Sequence, residues 1–227
     1  MRVLELKNIS MHFAVARDHE NGRHRVFDGL NLMVSHGEKV GLIGRNGSGK
    51  STLLRIMAGI YPPDVGSVWR HPEMSIALLS LGLGFKNDLT GRENVFLAAM
   101  LQGLSRRSAR NTLNKIGEFT ELGNYYDEPV KSYSSGMRAR LGFATGLLLD
   151  TDILLLDEIL AVGDHAFRQK ASEALREKVL TDRTVIMVHH DDVAIRDTCT
   201  RAIWLNGRGV ERDGDVDGVL SAYAENR

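Results

Sequence analysis

The segment Gly44-Arg45-Asn46-Gly47-Ser48-Gly49-Lys50-Ser51 carries the clearest chemistry in this chain. A glycine, four residues and then Gly-Lys-Ser is the phosphate-loop pattern, and each residue type in it has a chemical reason. Gly47 and Gly49 let backbone N–H groups approach phosphate with no Cβ in the way. Lys50 supplies a cation for the β- and γ-phosphates, and Ser51 offers a hydroxyl to Mg²⁺. The flanks agree with this reading. Lys39 to Gly44 reads as a short buried strand, and from Ser51 to Ile60 the apolar Leu53, Leu54, Met57 and Ile60 recur at helical spacing. Strand, glycine-rich turn and helix N-terminus together make an anion site, because backbone donors and helix dipole both favour negative charge. A ligand-free glycine turn would not need the Lys and the Ser in this context. The expected ligand is a nucleoside triphosphate.

Two further stretches extend that chemistry. Asp152-Ile-Leu-Leu-Leu-Asp157-Glu158 reads as a fully buried strand ending in two carboxylates. The carboxyl end of a strand in an open α/β sheet faces the ligand crevice. Asp157 there can hold Mg²⁺ through water, and Glu158 can orient and polarise an attacking water. Thr184-Val-Ile-Met-Val188 is a second buried strand, and it ends in His189-His190-Asp191 at the same edge, which favours a γ-phosphate contact over a structural histidine. Ser132-Tyr-Ser-Ser-Gly-Met137 opens an apolar helix and offers a second anion site. Alone it is weak, since Ser and Gly at a helix start are ordinary caps. Phe13, just ahead of a charged loop, is either an adenine platform or a sheet-core residue.

The elements that must position these groups fit one sizeable α/β domain in 227 residues. Residues 2–6 and 9–15 read as a pair of edge strands, and Val26–Val34 returns as a strand that leads into the phosphate-loop strand. The His-rich loop between them (with His12, His19 and His24 near it) matches no zinc spacing and reads as a solvated hairpin. Pro62 and Pro63 stop the first helix. Strands follow near 66–70 and 74–79. Thr90-Gly91-Arg92-Glu93 is a capping box, and Ser105 caps a second amphipathic stretch. The expected organisation is one domain over 1–227, with 1–88 and 151–227 forming an α/β core with a β-subdomain, and about 89–150 a helical insertion. A polar helix over 166–179, strands near 201–205 and 209–211 and a helix at 216–224 complete it.

Composition narrows the function. Lys plus Arg and Asp plus Glu are 29 each, a balance that gives no support to a nucleic-acid partner. A single cysteine, Cys199, excludes an internal disulfide and suits a reducing compartment. The charged N-terminus lacks a signal-peptide core, and no run approaches the roughly 18 apolar residues of a membrane span. Work at a membrane would need another chain as anchor.

These stretches, in this order, resemble the ATP-binding subunit of an ABC transporter over nearly the whole chain. Leu89-Thr-Gly-Arg-Glu-Asn94, Tyr133-Ser-Ser-Gly-Met-Arg138 and Asp157-Glu-Ile-Leu-Ala-Val-Gly-Asp164 narrow the resemblance to ATPases that export capsular polysaccharide, O-antigen or teichoic acid. The fold it implies is an α/β P-loop NTPase of ABC ATPase type: a mainly parallel sheet, an N-terminal antiparallel β-subdomain and a helical insertion. It implies ATP and Mg²⁺ as cofactors. Gly44, Arg45, Asn46, Gly47, Ser48, Gly49, Lys50, Ser51 and Thr52 form the nucleotide loop, with Phe13 the adenine platform. Ser134, Ser135, Gly136 and Met137 form a signature that touches the γ-phosphate held by another copy. Ser51 and Asp157 are the metal side, Glu158 the catalytic base, His190 the switch histidine, and Asp164 part of a loop that crosses the dimer interface. The implied partners are a second copy, which sandwiches ATP, and an integral-membrane permease that makes most contacts with the glycan. The implied place is the cytoplasmic face of the cytoplasmic membrane.

The chain departs from the family pattern at three points. Where most members carry a metal-touching glutamine, this chain reads Leu79-Ser80-Leu81-Gly82. His189 stands where serine is usual. The chain ends at Arg227 without the sugar-binding domain some O-antigen exporters append, so the expectation is an exporter that does not read a terminal sugar modification. Two other readings are a soluble ABC ATPase acting on DNA or ribosomes, and an ATP-binding regulator without turnover. Neither tandem ATPase units nor a long coiled-coil insertion is present for the first, and intact Lys50, Asp157 and Glu158 oppose the second.

Overall fold

The computed structural model describes residues 1–14, 23–79, 84–157, 163–189 and 191–226. They form two compact units: Met1–Met74 with Leu155–Asp157 and Asp182–Arg227, and Ser75–Leu154 with the described part of Glu158–Thr181.

The first unit opens with a three-stranded antiparallel sheet. β1 (Arg2–Ala14) lies between β2 (Arg23–Ser35) and β4 (Val65–Arg70). The two edge strands expected at 2–6 and 9–15 are one 13-residue strand. Apolar alternation breaks at Lys7-Asn8, and the backbone answers with a bulge rather than a turn: Asn8 has φ 53° and the register shifts between Leu6 and Ile9. β4 accommodates that bulge with Gly66, at φ 97°.

A parallel sheet carries the loop. β3 (Lys39–Ile43) is flanked by β7 (Thr184–Val188) and β8 (Arg201–Leu205), both parallel to it. β9 (Val210–Asp215) adds antiparallel beyond β8, and the Leu155–Asp157 end of β6 (Ile153–Asp157) lies beyond β7. β7 is buried at all five positions, as expected for a strand covered on both faces. α1 (Lys50–Met57) buries Leu53, Leu54, Ile56 and Met57. Eight residues are too few for a helix to persist by propensity. Burial at about 2 kcal/mol for each of these side chains holds it instead. α6 (Asp192–Thr198) and α7 (Val216–Glu225) complete this unit, each begun by an aspartate cap.

The second unit is mostly helical. β5 (Ile76–Leu79) precedes α2 (Gly91–Leu101), α3 (Arg106–Thr120), α4 (Ser135–Leu148) and α5 (His165–Val179). The Thr90/Glu93 capping box is complete in both directions, and Ser105 caps α3 by accepting from the Ser108 N–H. Val95, Ala99, Ala109, Ile116, Tyr126, Val130, Leu141 and Ala144 share one core. Among the described residues no helix is long and apolar enough to cross a membrane.

Gly66→Ala tests the bulge. Its Cβ would come within 2.4 Å of the Lys7 and Asn8 carbonyl oxygens, at a φ that L-residues rarely adopt. A loss of about 2–3 kcal/mol is expected, seen as a melting temperature lowered by about 5–10 °C; an unchanged melt would contradict the strain.

Candidate nucleotide site

The phosphate loop owes its shape to what surrounds it. Gly44, Gly47 and Gly49 all have positive φ, at 145°, 82° and 96°. A Cβ on Gly44 would come within 2.4 Å of the Leu205 carbonyl oxygen, and one on Gly49 within 2.7 Å of both Val26 and Phe27. The end of β8 and the strand β2 therefore press on the turn and admit only glycine there. Gly47 has open space, so its need is for conformation alone. Gly49 is the N-cap of α1 and brings no side-chain cap, which leaves first-turn N–H groups of the helix facing the loop. Arg45 and Asn46 are exposed, Ser48 is buried, and Thr52 is half-buried on α1.

Lys50 folds back over this turn, its Nζ donating to the carbonyls of Gly44 at 2.7 Å and Arg45 at 3.0 Å. Those bonds hold the ammonium above the loop, where a phosphate would be received. Ser51 Oγ donates to Asp157 Oδ1 at 2.8 Å. The Asp157 side chain is only 13% exposed, and Arg55 Nη2 stands 4.0 Å from its other oxygen. Ser51 donates its hydroxyl hydrogen bond to Asp157 and keeps lone pairs for a cation. A hydroxyl and a carboxylate are hard oxygen donors, which fit Mg²⁺ with phosphates and waters filling the other positions. Among the described residues no group of three or more His, Cys, Asp or Glu gathers to make a cation cage.

Phe13 is not a core residue. It is 36% exposed and meets Tyr61 edge-on at 5.9 Å, while Phe27 fills the core of that sheet. The aromatic corner of Phe13 and Tyr61 escaped sequence reading, because 48 residues separate two rings that meet only after α1 and the prolines turn the chain. His12 beside it bonds Asp64 through both its N–H and Nδ1, so the imidazole serves the sheet. Glu158, His190 and Ser80 lie outside the described residues. His189 does have a structural role, since its Nδ1 accepts the N–H of Asp191, the residue that caps α6.

In the second unit, Ser134 caps α4 by accepting from the Met137 N–H, and Ser134 and Ser135 are exposed with Gly136 and Met137 beside them. They line a concavity of about 760 Å³ that Arg140, Gly163 and Asp164 also border. Asp164 caps α5, accepting from Phe167 N at 3.0 Å, and receives Arg140 Nη2 at 2.7 Å. That N–H bond first, then the Arg140 guanidinium, holds its carboxyl below the usual carboxylate range, so it is ionised at neutral pH. Sequence reading named Asp164 and missed Arg140, whose side chain also stacks on Phe167. Tyr133 is buried, and its hydroxyl, pushed up to about 12 by burial, donates to the Tyr125 carbonyl at 2.6 Å. This fixes Tyr125, 54% exposed, on the wall of the concavity.

Tyr133→Phe removes that bond together with the backbone interaction the same hydroxyl makes at Gly91. The expected cost is about 1 kcal/mol, read as a melting temperature lower by about 2–4 °C; unchanged stability would show that the hydroxyl holds nothing.

Comparison with known proteins gives a consistent answer. A family model described as ABC transporter matches residues 27–161. Over 197 residues the chain is 43% identical to the O-antigen export system ATP-binding protein RfbB of Myxococcus xanthus, covering 87% of this chain and 45% of that protein. It is 39% identical over 203 residues to a protein of the same name from Klebsiella pneumoniae, covering 89% of this chain and 82% of the relative. The chain thus spans less than half of the first and most of the second. In backbone it resembles the dimeric post-hydrolysis state of the ATP-binding cassette MJ0796 bound to ADP and Pi, with a TM-score of 0.73 and 23% identity over 94% of this chain and 98% of that one. A solved ATP-binding subunit of an ABC transporter gives 0.77 at 23% identity, over 98% and 93%. At such identity the likeness is one of fold.

Proposed function

The chain belongs to the ABC transporter family, and we propose that it binds and hydrolyses ATP to power export of a polysaccharide or lipid-linked glycan across the cytoplasmic membrane. The observation that carries the nucleotide part is the loop itself: glycines forced by close packing, an uncapped helix N-terminus, and Lys50 held above both. Support for a glycan comes from relatives named for O-antigen export that align with 87–89% of this chain.

The triphosphate enters Gly44–Thr52. Lys50 exchanges its two carbonyl acceptors for phosphate oxygens, a trade favoured because a charged acceptor makes a stronger bond than a neutral one. Ser51 and Asp157 would hold Mg²⁺, and the charge stabilisation such an ion supplies when bound would act on the phosphoryl oxygens beside them. Phe13 stacks on adenine. Glu158 orients the water that attacks the γ-phosphate, and His190 contacts that phosphate.

Each chain supplies half of a working site. Ser134, Ser135, Gly136 and Met137 of one copy close over the nucleotide of another, in a homodimer with ATP between the copies. Asp164, fixed by Arg140 and its α5 cap, belongs to the loop that crosses between them. ATP contacts made only in the closed pair drive closure, and hydrolysis reopens it, a population shift set by differential affinity. A paired permease in the membrane receives that motion and makes most of the contacts with the glycan. The chain works at the cytoplasmic face, without nucleic acid.

Three measurements test this. Lys50→Ala should weaken ATP binding at least about tenfold, given the strength of charge-assisted bonds; unchanged affinity would refute the loop assignment. Glu158→Gln should keep ATP binding, lose steady-state hydrolysis and accumulate as an ATP-bound dimer in sedimentation. Full turnover would remove Glu158 from its role. In the native cell, inactivating the chain should leave lipid-linked glycan inside and surface polysaccharide depleted; a normal surface with another exported polymer lost would overturn the substrate class and leave the ATPase reading intact.

A further inference from the structure

Arg55 stands outside every motif of the nucleotide site, in the last turn of α1. Its position is nevertheless specific. Nη2 lies 4.0 Å from Oδ2 of Asp157, whose Oδ1 takes the Ser51 hydroxyl. On another side its guanidinium sits 5.9 Å from the ring centroid of Tyr61, which in turn meets Phe13. At 4.0 Å the contact is too long for a hydrogen bond, yet close enough for the charges to attract. Asp157 is 13% exposed and Arg55 30%, so water screens the pair only in part.

A guanidinium at this place has a consequence for the metal. A nearly buried carboxylate needs a positive neighbour, and Arg55 provides it. A divalent cation drawn to the same carboxylate meets a like charge a few ångströms away. Nucleotide phosphates would bring enough negative charge to offset both cations, whereas the bare loop brings none. We propose that Arg55 is a positioning residue that holds Asp157 in the nucleotide-free protein and opposes divalent-cation binding there, so that metal is retained only together with nucleotide. This rests on the reading of Ser51 and Asp157 as the metal side of the site.

The test is Mn²⁺ titration of the purified full chain, followed by electron paramagnetic resonance with and without ADP. Without nucleotide, Arg55→Gln should bind Mn²⁺ about fivefold more tightly than wild type, the scale of a partly exposed charge pair. Arg55→Lys, which keeps the charge, should stay close to wild type, and the gap should narrow when ADP is bound. A merely structural Arg55 would lower the melting temperature of Arg55→Gln without tightening Mn²⁺ binding, and that result overturns the proposal. Should Arg55→Gln fail to fold, the neutral and similarly long Arg55→Met should tighten Mn²⁺ binding in the same way; no shift there overturns the proposal equally. Asp157→Asn separates the two readings. If it leaves Mn²⁺ binding unchanged in the presence of ADP, the metal assignment itself fails, whatever Arg55 does.

Discussion

The nucleotide site depends on one steric constraint, the crowding of the loop between Ile43 and Lys50. Leu205 at the end of β8 closes on Gly44, and Val26 and Phe27 of β2 close on Gly49. Only a residue without Cβ fits, and only a backbone at positive φ passes between them. The same crowding leaves α1 without a side-chain cap. Donors that would be satisfied in an ordinary helix therefore point at the place where an anion is to bind. Packing and chemistry are one feature here: the contacts that fix the turn create its unmet hydrogen-bonding capacity.

Around that turn the charged side chains are each held by defined partners. Lys50 rests on two carbonyls, weak acceptors that a phosphate readily replaces. Asp157 is shared between the Ser51 hydroxyl and the Arg55 guanidinium. In the helical unit Asp164 is shared between an α5 N–H and Arg140. Each of these side chains is already held in place by named partners within the fold. Pre-organisation of this kind keeps the ordering cost of binding low.

Much of this was legible in the sequence. The phosphate loop, the caps at Thr90, Ser105 and Ser134 and the buried strands at Leu155 and Ile186 announce themselves by local rules of spacing and period, which need no knowledge of the rest of the chain. The break in β1 was misread because alternation lost over Lys7-Asn8 looks the same for a turn and for a bulge. Only Gly66, far along the chain and pressed against the Asn8 carbonyl, decides between them.

The sequence by itself determined that the chain is an α/β P-loop protein with a helical unit, and where its glycine-rich turn lies between strand and helix. Tertiary structure decided what stands next to those residues. Arg55 beside Asp157, Arg140 on Asp164, Tyr133 under Tyr125 and Tyr61 against Phe13 join residues 8 to 102 positions apart. No periodicity encodes such pairs. Chain reversal and side-chain packing create them, because local sequence sets backbone conformation and only the folded chain sets the distance between two charges.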